Sequence, residues 1–301
     1  MLAENAQIPS SSPLILSKVS SYIQFSKFRL ASLVVFSAVI TYIVATKGEY
    51  TGMQLLWLTL GGFLVTAASN GYNQVIEKDL DKLMERTKNR PLPTGKMSVP
   101  EGIIVASIMG ISGIYILAHY FNPLTGLLGF IALILYALVY TPLKRKTPFA
   151  VFVGAFPGAM PPLIGWVAAV GMIDVSGLTV FAVQFMWQFP HFWAIAWRLN
   201  DEYTKAGFKM LPSPGGRDKA SAFQILLYSL FLIPVSLLPA AFMLSGMFYT
   251  VVAIIAGSIF AYQAFTLYKK LDIPSATKLM FGSFLYLPLV QIALLIDYLL
   301  K

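Results

Sequence analysis

Apolar residues run along this chain in long blocks separated by short charged clusters. Stretches free of Asp, Glu, Lys and Arg cover 30–46, 50–76, 102–143, 147–173, 175–197, 220–268 and 279–296. A helix that crosses the hydrocarbon core of a bilayer needs about 20 mostly apolar residues. Five of the runs have room for one such helix, and the two longest have room for a pair. The first long run breaks at His119-Tyr120-Phe121-Asn122-Pro123, where Asn-Pro signals a turn. The second has a weaker break at Ser245-Gly246. The pattern predicts an all-α, polytopic membrane protein with nine transmembrane helices.

Basic residues give this count an orientation. With nine spans, 20 of the 22 Lys and Arg fall in the N-terminal segment and in the loops after helices 2, 4, 6 and 8, and only Lys47 and Lys301 fall on the other side. Positive loops stay on the cytoplasmic face, so the N-terminus is expected inside and the C-terminus outside. Residues 1–26 read as a flexible cytoplasmic leader, because Pro9, Pro13 and the Ser10-Ser11-Ser12 cluster oppose a long helix. Residues 27–301 read as one membrane domain.

Composition narrows the function classes. The 301 residues are 57% hydrophobic and 12% charged, with a mean hydropathy of +0.71. That excludes a soluble domain, a disordered chain and a nucleic-acid-binding module, despite the net charge of +9. The chain has no cysteine, which removes disulfides, thiolate metal sites and cysteine nucleophiles.

Chemistry concentrates in two loops on the basic side. In the first, Asn73, Glu77 and Asp81 stand at i, i+4 and i+8, so a helix continuing from the second span carries them on one face. Two carboxylates and an amide oxygen make a hard-oxygen surface suited to Mg²⁺, an ion commonly shared between protein carboxylates and substrate phosphates. Arg86, Lys88 and Arg90 follow at once, placed to neutralise a diphosphate. Four of the chain's 13 acidic residues, Glu77, Asp79, Asp81 and Glu85, fall within this stretch. Gathering like charges is costly without a cation, which favours a metal–diphosphate site over a solvated mixed-charge loop.

The second loop leaves the sixth span through Trp187-Gln188-Phe189-Pro190-His191-Phe192 and continues to Asp201 and Glu202. Asp201 and Glu202 are further candidate metal ligands, approaching from the opposite side. His191 is open to two readings, a hydrogen-bonded packing residue or a substrate contact such as an axial ligand to haem iron. A third segment, Tyr140-Thr141-Pro142-Leu143-Lys144-Arg145-Lys146, places Lys144 and Arg145 at the same membrane face, where positive-inside anchoring also accounts for them. In the fifth span, Gly154 and Gly158 allow close helix approach, and Pro157, Pro161 and Pro162 kink the helix or free carbonyls toward a cavity.

Together, Asn73-xxx-Glu77-xxx-Asp81, Met84-Glu85-Arg86-Thr87-xx-Arg90-Pro91-Leu92, Tyr140-xxx-Lys144-Arg145, Pro161-Pro162-Leu163-Ile164-Gly165-Trp166 and Trp187-Gln188-xx-Pro190-His191-Phe192 resemble the UbiA-type intramembrane prenyltransferases, and within them the protohaem IX farnesyltransferases, or haem O synthases. The resemblance covers roughly residues 25–300. It implies a helical bundle around a central cavity in the cell inner membrane. The implied reaction joins the farnesyl group of farnesyl diphosphate to a vinyl group of haem B, with addition of water, giving haem O and diphosphate. It implies Mg²⁺ held by Asn73, Glu77 and Asp81, catalytic roles for these three with Tyr140 and Lys144, and diphosphate contacts from Arg86, Arg90, Lys144 and Arg145. His191 becomes a haem contact, and the implied partner is a downstream haem-modifying enzyme or terminal oxidase assembly.

Two positions depart from the family pattern. Glu77 stands where relatives usually have Asp, and Arg198-Leu199-Asn200-Asp201-Glu202 lacks the second Asp-xxx-Asp motif of the wider superfamily. The second departure favours the haem branch. Two rivals remain at this level, a UbiA-type enzyme acting on a quinone precursor or other aromatic acceptor and, more distantly, a secondary transporter. Transporters place ionisable groups near the bilayer midplane, whereas here the acids gather at one face.

Overall fold

The computed structural model describes residues 11–300, with side chains from residue 17, and every regular element among them is helical. In chain order the helices are α1 (Ser11–Ser26), α2 (Phe28–Ala45), α3 (Gly52–Ile76), α4 (Lys78–Asp81), α5 (Val99–Tyr120) and α6 (Pro123–Ile134). A π-helical turn over Leu135–Tyr140 then leads into α7 (Thr141–Leu143). They continue with α8 (Ala150–Val170), α9 (Val175–Arg198), α10 (Asn200–Lys205), α11 (Lys219–Ser236), α12 (Leu238–Ala241), α13 (Met247–Lys270) and α14 (Ile273–Leu299).

Eight helices among the described residues are long and apolar enough to cross a membrane, with 123–143 and 219–241 each counted as one. The expected span missing from these eight is the sixth, α9. Its 24 residues are long enough, but Gln184, Gln188, His191 and three tryptophans make it less apolar than the rest. Its polar side chains are buried against neighbouring helices, where they need not meet lipid. Both expected breaks are present. Asn122 caps α6, its Oδ1 accepting from Thr125 N at 2.9 Å, and Gly246 precedes α13.

The leader expectation needs correction. Residues 1–10 lie outside the described residues, but 11–26, where no long helix was expected, form α1. Pro13 falls in the first turn, where its missing N–H has no intrahelical partner to lose. α1 docks through Phe25, buried among Leu92, Met97 and Ala106, and through Lys18 Nζ and Tyr22 OH, each 2.8 Å from Glu101 Oε1.

Successive long helices pack side by side, and α14 returns against α2 to close a ring. Cross-contacts between α2 and α8 and between α9 and α14 brace it. Small residues permit the closest approaches. A Cβ on Gly165 of α8 would overlap the Ala38 carbonyl oxygen and lie 2.5 Å from Thr41 Oγ1 of α2. Gly165→Ala is therefore expected to destabilise the protein by about 1–3 kcal/mol through overpacking. Gly52→Ala, which meets nothing within 4 Å, should not. Thermal unfolding in detergent checks the pair, and equal transitions would place the α2–α8 contact elsewhere.

Candidate active site

A cavity of about 750 Å³ opens inside the ring. Its deep wall is mostly apolar, with residues such as Leu58, Val65, Leu117 and Ile164, while its charged lining residues gather at one end of the bundle. Local backbone structure brings those charges together.

The expected helix continuing from α3 is kinked at Glu77 but unbroken in register. Glu77 N bonds Asn73 O at 2.9 Å and Asp81 N bonds Glu77 O at 2.8 Å, so the i→i−4 ladder carries across into α4. Asn73, Glu77 and Asp81 therefore share one face, and all three are buried and line the cavity. The following loop folds back because Arg90 Nη1 grips both Asp81 oxygens at 2.9 and 2.7 Å, and Thr87 Oγ1 donates to Asp81 O at 2.8 Å. This places Arg86 and Arg90 on the cavity. Burial pushes the Asp81 carboxyl above its usual range, against the opposing pull of Arg90.

The opposite wall comes from the segment joining α6 to α7. Tyr136, Tyr140 and Lys144, spaced i, i+4 and i+8, line the cavity. Gly154 of α8 makes room for the Tyr140 ring, since a Cβ there would lie 2.7 Å from its edge. Lys144 Nζ is 2.5 Å from Glu77 Oε1, a buried ion pair without hydrogen-bond geometry, and lies 5.1 Å from the ring centroids of both Tyr140 and Phe208. Its backbone is pinned by Lys209 N donating to Lys144 O at 2.8 Å.

Lys27 also belongs to the site, although the sequence offered it only as an anchoring charge. It joins α1 to α2 in a left-handed conformation (φ 49°), a strained geometry for a residue with a side chain. Its Nζ lies 3.5 Å from Asn73 Oδ1. Burial, then repulsion from Arg90 and Lys144, brings its ammonium down to about 7. Tyr203 of α10 and Phe208 line the cavity too, with no signal in the sequence beyond their proximity to Glu202. Tyr136 had a legible signal, its spacing from Tyr140 and Lys144.

Other expected residues lie elsewhere. Arg145 is exposed beside Gly207 and does not line the cavity. Asp201 is exposed and paired with Arg217 Nη1 at 3.0 Å, while Glu202 Oε2 accepts from Arg86 N at 3.4 Å. Neither Asp201 nor Glu202 lines the cavity. Arg217 is engaged there because its Nε donates to Trp197 O at 2.6 Å, at the C-terminal end of α9.

His191 reaches the cavity deeper along α9, stacked on Trp187 at 4.2 Å between ring centroids. Ser283 Oγ donates its one proton to Met280 O at 2.6 Å, so its 2.7 Å contact with His191 Nδ1 is donated by the imidazole. Nδ1 is thus the ring nitrogen that donates to Ser283. Nε2 has no hydrogen-bond partner among the described residues. Nearby, Gly158 O is freed because Pro162 brings no N–H to it, and Gln184 Nε2 and Gln188 Nε2 bond it at 2.7 and 3.0 Å.

The donor set suits a hard divalent cation only in part. Among the described residues no cluster of three or more His, Cys, Asp or Glu side chains is placed to hold a metal. Two carboxylates and an amide oxygen do share one buried face, and in this structure Lys144 and Arg90 hold the two carboxylates. This is the incomplete oxygen set that Mg²⁺ uses when substrate phosphates supply the remainder. With Lys27, Arg86, Arg90 and Lys144 facing Glu77 and Asp81, the mouth is net positive and matches a polyanionic head group.

Residues 34–287 match the UbiA prenyltransferase family. A relative from Cytophaga hutchinsonii named protoheme IX farnesyltransferase is 46% identical, the alignment covering 93% of this chain and 98% of the relative. One of the same name from Christiangramia forsetii is also 46% identical, over 93% of each chain. Among solved structures, one of digeranylgeranylglyceryl phosphate synthase superposes with a TM-score of 0.79 at 18% identity, covering 94% of this chain and 99% of that one. A UbiA homologue from Archaeoglobus fulgidus bound to GPP and Mg²⁺ gives 0.67 at 16% identity, covering 91% and 99%. At these identities the solved structures show the shared fold.

Proposed function

The chain belongs to the UbiA prenyltransferase family, and from that premise we propose that its cavity transfers the farnesyl group of farnesyl diphosphate to a vinyl group of haem B, with addition of water, to make haem O and diphosphate. The observation that carries this reading is the division of one cavity into a cationic, carboxylate-bearing mouth and a mostly apolar depth. Such a cavity suits a ligand with a diphosphate head and an isoprenoid tail. The transporter rival does not survive membership of a prenyltransferase family.

In this reading Lys27, Arg86, Arg90 and Lys144 bind the diphosphate oxygens and hold the allylic C–O bond at the mouth. Asn73, Glu77 and Asp81 hold Mg²⁺, which when bound stabilises charge on the departing diphosphate. The aromatic rings of Tyr136 and Tyr140 border the place where the allylic carbon develops positive charge, and an aromatic face attracts a cation. The apolar wall keeps water away from that carbon until the vinyl group attacks. Water then adds to the porphyrin-stabilised cation. In this reading the mouth faces the cytoplasmic side of the cell inner membrane and the C-terminus lies outside, as the positive-inside rule supports for the basic loops. The reading also implies delivery of haem O to a haem-modifying enzyme or terminal oxidase assembly.

His191 is the haem contact in this scheme, because Ser283 holds its Nδ1 and leaves its Nε2, free of a protein partner, to ligate iron. His191→Ala is expected to weaken haem B binding and shift its absorption spectrum while leaving farnesyl diphosphate affinity unchanged. Unchanged haem affinity and spectrum would return His191 to a packing role with Ser283.

The reaction is tested by mixing purified protein with farnesyl diphosphate, haem B and Mg²⁺ and weighing the haem by mass spectrometry. A product heavier by a farnesyl group plus a hydroxyl group, the second water proton having left with diphosphate, supports the reading. Diphosphate release onto a different acceptor, with haem unchanged, would instead indicate an enzyme for quinone precursors.

A further inference from the structure

We propose that Thr141 is a positioning residue that locks the side-chain amide of Asn73 with its oxygen, not its nitrogen, toward the cation site. The inference rests on the reading of Asn73 as a metal ligand. An asparagine amide has nearly the same shape either way round, yet only one orientation offers a lone pair to a cation. Asn73 is buried, so its protein neighbours fix its amide.

Proton bookkeeping around Thr141 decides the orientation. Its hydroxyl has a single proton, donated to Tyr136 O at 2.8 Å. Toward Asn73, 3.2 Å away, Thr141 Oγ1 is therefore an acceptor, and the group facing it must be the Nδ2 amide. The Asn73 oxygen then points the other way, to Lys27 Nζ at 3.5 Å, a donor on the cavity wall. The π-helical turn produces this arrangement. Thr141 N bonds Tyr136 O in the i→i−5 register, and the same carbonyl receives the hydroxyl. The wider turn sends Thr141 inward to α3 while Tyr136, Tyr140 and Lys144 keep the cavity face. π-Turns are rare and recur at functional sites. Here the turn couples the aromatic wall to the oxygen set.

Thr141→Val keeps the shape and loses the acceptor, while Thr141→Ser keeps the acceptor. The experiment titrates Mn²⁺ by electron paramagnetic resonance into the full-length protein in nanodiscs with inorganic diphosphate present. It also measures metal-free thermal unfolding of each variant. Thr141→Val is expected to raise the Mn²⁺ dissociation constant by roughly 10–100-fold, the usual effect of losing a group that orients a ligand. Its metal-free unfolding should stay near that of the parent, and Thr141→Ser should bind Mn²⁺ as the parent does. Parent-like Mn²⁺ affinity in Thr141→Val, with affinity lost in Asn73→Ala, would overturn the role of Thr141 and leave Asn73 as a ligand. Parent-like affinity in both would overturn the ligand reading itself. Thr141→Ala takes the place of valine in the same comparison should the valine variant fail to fold.

Discussion

Asp81→Ala is expected to lower farnesyl transfer by roughly 10²–10³-fold while the protein still folds and inserts, the scale seen when one group that stabilises developing charge is removed. Asp81 has no exposed surface, and both its oxygens are held by Arg90. It supplies negative charge at the one place where the cavity's cations converge. Removing it deprives the oxygen set of a carboxylate and frees Arg90, which can still bind diphosphate. The loss should therefore fall on kcat more than on KM for farnesyl diphosphate. Steady-state kinetics of haem product formation check this, with Asp81→Asn controlling for shape. Normal turnover in the alanine variant would show that the oxygen set is not the metal site.

Lys144→Met is expected to damage both stability and turnover, and the two effects can be separated. Lys144 and Glu77 form a pair whose side chains are 11% and 5% exposed. Breaking a buried pair by removing one partner typically costs about 3–5 kcal/mol, because the remaining charge is left uncompensated. Adding Glu77→Gln should restore much of the stability by neutralising that orphan. It should not restore activity, because the double variant lacks both a diphosphate cation and a carboxylate of the oxygen set. Thermal unfolding and turnover of the two single variants and the double variant measure this. Recovery of turnover along with stability would assign Lys144 a purely structural role.

Much of this protein was legible in one dimension. The uncharged runs marked the long helices because a spanning helix tolerates few charges anywhere along it. The break at Asn122-Pro123 was readable because its turn chemistry is local. The set Asn73, Glu77 and Asp81 was readable for the same reason, since the i, i+4, i+8 spacing survives the kink at Glu77. Arg86 and Arg90 followed from their closeness to that set. Other residues were misplaced because sequence closeness does not report side-chain direction. Arg145 adjoins Lys144 yet faces outward, and Asp201 adjoins the second loop yet is taken by Arg217.

By itself, the order of residues determined that this is a multi-pass helical bundle, which end carries the charge, and that Asn73, Glu77 and Asp81 share one face. These follow from hydropathy and helical period, which act within a turn or a span. Tertiary structure alone decided that Lys27 enters the site, that Thr141 faces Asn73, that Arg145, Asp201 and Glu202 stay off the cavity, and that residues 11–26 dock as a helix. Those outcomes depend on how each helix is rotated and how closely it meets its neighbour. Contacts between residues far apart in the chain set both, such as Gly165 against Ala38 and Phe25 against Ala106.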